Sequence, residues 1–182
     1  CLDQVIRLLK PDIMCLANNH IGDYGNEGIL NTIDELDKRK IGHVGAGINV
    51  EEAYKVKYIV HEHFRLGVIS TCENEFGTTD SDVPGVAGYN QKRLDSIIRE
   101  EVEKGQKPIV IFHGGNECCP IPSPFTQERY RSLIDSGSLA VIGMHSHCPQ
   151  GYEIYKGCPI IYGLGNFYFY KESHTDCDDL WN

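Results

Sequence analysis

The chain has 182 residues, 41% hydrophobic and 24% charged, with a net charge of -9. That is the composition of one ordinary globular domain, long enough to bury roughly two thirds of its unfolded surface. The acidic balance argues against nonspecific nucleic-acid binding, which needs cationic surface to displace counterions. No stretch approaches the roughly 20 apolar residues of a membrane span.

Strand and helix signals alternate along the chain. Leu2 to Leu9 reads as a helix already in progress, and the start at Cys1 reads as that of a fragment or a processed product. Asp12 to Leu16 is a short apolar strand that ends on Ala17-Asn18-Asn19-His20. Tyr24 to Lys40 has Ile29, Ile33 and Leu36 at helical spacing, a basic last turn and a stop at Gly42. A short helix near Val50 to Tyr54 precedes a strand pair, Val56 to Val60 and Arg65 to Thr71, with His61-x-His63 as its exposed turn. Cys72 to Gly88 is a long acidic loop, and loops of that length are often functional.

The next helix, Asn90 to Lys104, presents Leu94, Ile97, Ile98 and Val102 to a core and stops at Gly105. Pro108 to Phe112 is the strongest buried-strand signal, and it delivers His113-Gly114-Gly115-Asn116-Glu117. Ser123-Pro124 is a cap followed by proline at the first helical position, opening a helix to Ser136 that Gly137 ends. Leu139 to Ile142 delivers Met144-His145-Ser146-His147. Three short β segments close the chain: Glu153 to Tyr155, Pro159 to Tyr162 and Phe167 to Tyr170. Alternating α/β followed by hairpins predicts a layered α/β sandwich.

Eight cysteines lack zinc-finger spacing. Cys15 and Cys72 fall in apolar strand patterns, Cys118-Cys119 is a vicinal pair, and Cys148 and Cys158 are candidates to bond each other. Reduced thiols in a cytosolic protein are the favoured reading.

Three polar clusters each follow an apolar strand, the place where α/β proteins gather functional groups. Imidazole and amide donors drawn from three loops point to a metal centre. Each residue also has a plainer reading. His113 could be a strand-end histidine, and His145-x-His147 could be core or surface. Gly114-Gly115 favours close approach of a substrate or ion to the backbone. Gly143 and Pro149 favour a rigid turn around the histidine pair. Asn19 is a modest ligand type, and His20 beside it could act as an acid. Asp23 reads as a helix cap, and Asp12 opens its strand at the far end from the cluster. Asn18 is read as a substrate contact, and Glu73 and Glu75 either line the pocket as further substrate contacts or are solvated loop residues. The aromatics from Phe167 to Tyr170 read as packing, and Gly163-x-Gly165 as a turn.

Leu16-Ala17-Asn18-Asn19-His20 with Asp23-Tyr24-Gly25, and His113-Gly114-Gly115-Asn116-Glu117, resemble the CapA poly-γ-glutamate biosynthesis (capsule synthesis) family. Ile142 to His147, Gln150-Gly151 and Tyr162 to Phe167 extend that resemblance, which covers about residues 10 to 170. It implies a calcineurin-like metallophosphoesterase fold, a four-layer α/β/β/α sandwich, here a single domain whose N-terminal segment is missing. It also implies two divalent ions, Mn, Fe or Zn. Asn19, His113 and His145 would hold one and His147 the other, with His20 as general acid and Glu117 as a catalytic or substrate group. The family's aspartate-bearing strand would lie upstream, so an incomplete site is expected in residues 1–182. Ser146 and Cys118 depart from the family's usual proline and tyrosine.

Two functions follow from the resemblance. One is phosphoester or related hydrolysis of a small-molecule or polymer substrate; the other is a capsule polymer biosynthesis factor that hydrolyses little or nothing. The family also implies a cell-surface location as the alternative to the cytosol. A metal-free binding domain with structural histidines is the plain alternative to both.

Overall fold

A computed structural model describes residues 2–167. In chain order its elements are α1 (Leu2–Leu9), β1 (Ile13–Cys15), α2 (Gly25–Lys38), β2 (Gly42–Val44), β3 (Ala46–Gly47), α3 (Val50–Ala53), β4 (Lys57–His61) and β5 (Phe64–Cys72). They continue with β6 (Gly85–Val86), α4 (Gln91–Glu103), β7 (Lys107–His113), α5 (Pro124–Asp135), β8 (Ala140–Met144), β9 (Tyr152–Tyr155) and β10 (Cys158–Ile161).

The main sheet has the order β4-β5-β7-β8-β10-β9. Its four inner strands pair in parallel, and the two edge strands are antiparallel hairpin partners of their neighbours. Parallel neighbours need crossover connections; α4 supplies that from β5 to β7 and α5 that from β7 to β8, while β8 reaches β10 through β9. Leu94 and Ile98 of α4 and Tyr130 and Leu133 of α5 bury against Ile69, Val110, Phe112, Val141 and Ile160. A second core forms where Ile29 and Leu36 of α2 meet Leu16, Ala46, Cys72 and Val86. There β1 pairs with β2 in parallel, and β3 pairs with β6 antiparallel.

Three capping signals act as the residue types dictate. Asn49 and Asn90 accept from the N–H of Glu52 and Arg93. The Ser123 hydroxyl accepts from Thr126 N–H at 3.1 Å. Replacing Ser123 by alanine leaves that donor unmatched and is expected to cost about 1 kcal/mol in urea unfolding.

Several expectations are corrected. Strand β2 begins at Gly42, where only a helix stop was expected, and the long loop contains β6. These segments are too short to carry a periodic signal; their pairing depends on partners distant in sequence. Val102, expected in the core, is 45% exposed; it lies beside Gly137, at the end of α5. Cys15, in an apolar strand pattern, is exposed. Cys148 and Cys158 are free thiols and do not bond each other, while Cys118 is disulfide-bonded, against the expected reduced state. Spacing along the chain does not reveal which thiols a fold brings into bonding geometry. Most of the Phe167–Tyr170 segment lies outside the described residues. No helix among the described residues is long and apolar enough to cross a membrane.

Candidate metal centre

Parallel register aligns the C-terminal ends of three strands, with Cys72 opposite His113 and His113 opposite Met144. The loops that follow therefore leave the sheet side by side, as ligand-binding loops do in open α/β sheets. The ladder continues past the strands. Glu73 N–H donates to His113 O at 3.0 Å, Gly114 N–H to Met144 O at 3.1 Å, and Cys118 N–H to Ser146 O at 2.8 Å.

This framework brings the three polar clusters together. Asn19 Oδ1 lies 3.0 Å from His113 Nε2, and His145 Nδ1 lies 3.1 Å from the same nitrogen. His145 turns its other nitrogen towards Glu117, with Nε2 3.4 Å from Oε1, and His147 Nε2 lies 4.0 Å from that oxygen. Glu117, His145 and His147 thus offer three ligand atoms, all within 4.8 Å of one another. Glu117, expected as a catalytic or substrate group, is placed where it could also bind an ion.

The electrostatics match this geometry. Burial, with the neighbouring His145, His147 and His20 behind it, pushes His113 down to about 4. The ring is neutral at pH 7, the form that ligates a metal. His145 and His147 both have positive φ, +91° and +57°, in the left-handed region that disfavours L side chains. Their pairing thus arises from a strained turn and not from strand alternation. Such strain concentrates at functional sites. Nitrogen and oxygen donors without a thiolate fit a borderline divalent cation.

The other expected residues lie around this cluster or at the surface. His20 is exposed, and its Nδ1 lies 3.0 Å from Asp23 Oδ2. Asp23 does not cap α2, whose cap position is Tyr24 with no side-chain bond. A carboxylate three residues from a histidine can fold back on the ring, and here the turn at residues 19–24 makes that contact. Asn18 stabilises its own loop, donating to Leu16 O and accepting from His20 N–H.

Glu73 accepts from Gly115 N–H at 3.0 Å and from Arg129 Nη1 at 2.7 Å, so it braces the His113 loop. The room at Gly114 serves that brace, since a Cβ there would fall 2.4 Å from Glu73 Cγ. Glu75 is exposed. His61 ends β4, and His63 lies in the exposed turn that leads into β5. Two contributors were missed: Arg129, and Asn166, whose Oδ1 lies 3.0 Å from His147 Nδ1. The Asn at the end of Gly163-x-Gly165-Asn166 was the available signal for the second.

Comparison with known proteins accords with this assembly. Residues 3–171 match the model of the bacterial capsule synthesis protein family PGA_cap. The capsule biosynthesis protein CapA of Bacillus anthracis is 29% identical, over 86% of this chain and 40% of that protein. The PGA biosynthesis protein CapA of Bacillus subtilis is 29% identical, over 91% of this chain and 44% of that protein. A Mycobacterium tuberculosis protein named a probable polyglutamine synthesis accessory protein is 32% identical, over 87% of this chain and 45% of its own length. The chain spans less than half the length of these relatives. With a family match running through every loop of the cluster, the chain belongs to the bacterial capsule synthesis PGA_cap family, of the metallophosphoesterase-like superfamily.

Proposed function

We propose that this chain carries the histidine-rich side of a dinuclear metal site of the metallophosphoesterase type, used to hydrolyse phosphoester or related bonds. The observation that carries the reading is the convergence of Asn19, His113 and His145 on one point, with His147 and Glu117 beside it. Asn19, His113 and His145 would hold one ion; His147, with Glu117, would bind the second. Bound divalent ions neutralise phosphoryl charge and lower the pKa of a water.

The remaining chemistry belongs to the chain. Asp23 holds His20 through Nδ1, which leaves Nε2 free to deliver a proton to a leaving oxygen. Glu73 and Arg129 keep the His113 loop fixed. The order of packing supports the α/β/β/α arrangement in one domain. Helices α4 and α5 cover one face of the main sheet, β2 contacts β4 and β5, and α2 contacts β2 and β3.

Metal analysis of the purified protein paired with turnover of an aryl phosphate tests the reading. Mn, Fe or Zn should copurify at fewer than two ions per chain, as an incomplete ligand set requires. His20→Ala should retain the metal but lose roughly 100-fold or more in kcat, the range of a general acid. Absence of metal would sink the proposal. Bound metal with no turnover on a broad phosphoester panel would favour the second reading, a polymer biosynthesis factor, which the names of the relatives support.

A further inference from the structure

We propose that Asn166 is a positioning residue that sets the tautomer of His147 and so aims its Nε2 lone pair at the site. The inference rests on the reading of His147 as a metal ligand. His147 Nδ1 lies 3.0 Å from Asn166 Oδ1. An amide oxygen only accepts, so the neutral ring must carry its proton on Nδ1. Nε2 then has the lone pair, and it is this nitrogen that faces Glu117 Oε1 at 4.0 Å. The opposite tautomer would set two lone pairs against each other at Asn166 and direct an N–H into the ligand position. Ligating histidines commonly have their second nitrogen held in this way.

The segment that carries Asn166 is built onto the histidine loop. Tyr162 N–H donates to Gly151 O at 3.0 Å, Gln150 N–H to Gly163 O at 2.9 Å, and Leu164 N–H to Gly143 O at 3.2 Å. Pro149 and Leu164 form an isolated antiparallel bridge. The contact is close enough to require glycine twice. A Cβ at Gly163 would lie 2.4 Å from Ser146 Oγ, and one at Gly165, where φ is +72°, 2.9 Å from Pro149. The amide is thereby presented to His147 from a fixed neighbour, while His147 itself occupies a left-handed backbone conformation. Asn18 bonds within its own loop and Asn19 faces His113, whereas Asn166 faces the His147 ring.

Asn166 is exposed, so its substitution leaves the packed core intact. The test uses nitrogen-15-labelled histidine in the metal-free protein at pH 8, where an ordinary imidazole is neutral. Long-range nitrogen–proton spectra report which ring nitrogen of His147 is protonated. Wild type and Asn166→Asp, which keeps the acceptor, should show Nδ1–H, and Asn166→Ala should lose that preference. Calorimetric titration with Mn²⁺ should show Asn166→Ala binding roughly 10–100-fold more weakly, with Asn166→Asp near wild type. A wild-type His147 protonated on Nε2, or an Asn166→Ala variant that keeps Nδ1–H, overturns the inference. The expected tautomers without Mn²⁺ uptake by the wild type would uphold Asn166 as the positioning residue and sink the ligand reading instead.

Discussion

His145→Ala is expected to weaken Mn²⁺ binding by about 100-fold or more, beyond the roughly 10–100-fold cost of losing an outer partner. His145 is the residue that joins the two halves of the cluster. Its Nδ1 approaches His113 and its Nε2 approaches Glu117, so one truncation removes a donor from both groups. The side chain is only 6% exposed, which keeps competing water away from it in the wild type. Alanine inherits the backbone at φ +91° without added strain from a longer side chain, and circular dichroism should show the fold retained. His61→Ala, at the exposed end of β4, should leave Mn²⁺ binding unchanged in the same titration. Wild-type affinity in His145→Ala would remove this residue from the ligand set.

Gly143→Ala is expected to destabilise the fold by about 3 kcal/mol or more, at or beyond the upper end of overpacking costs. A Cβ there would lie 2.0 Å from the Tyr162 carbonyl oxygen and 2.8 Å from the Tyr130 hydroxyl. The first of these is backbone, so relief requires β8 and β10 to separate, and these are parallel neighbours in the main sheet. Tyr130 is fully buried and stacks on Tyr162 with ring centroids 5.6 Å apart, leaving no free direction of movement. His145 lies two residues on, so metal affinity should fall together with stability. Urea unfolding within about 1 kcal/mol of wild type, the size of an ordinary substitution, would show that the strands can yield there.

Gly143 also shows how a correct signal can have a different cause. The glycine was expected to make a turn before the histidine pair, yet it lies inside β8 and serves the approach of Tyr162. Gly114 is a second case, where a Cβ would meet the Glu73 side chain. In both, composition marks a place where backbone is crowded, but the neighbour is distant in sequence. Asp23 followed the same course: its position before a helix matched a cap, and its side chain turned back to His20 instead.

Elements with a long apolar period were legible from residues alone. The helices α2, α4 and α5 and the strands β5 and β7 announced themselves through spacing, caps and stops, because burying a continuous face constrains every third or fourth residue, or every second one. The three polar clusters were legible for the same reason, since each follows such a strand. Residue type and position in the chain therefore determined the architecture class and the candidate donors Asn19, His113, His145 and His147. Tertiary structure alone decided their distances, the place of Glu117 among the imidazoles and the bracing by Arg129 and Asn166. Those contacts join residues from 19 to 94 positions apart, and only parallel strand register and loop packing set such distances.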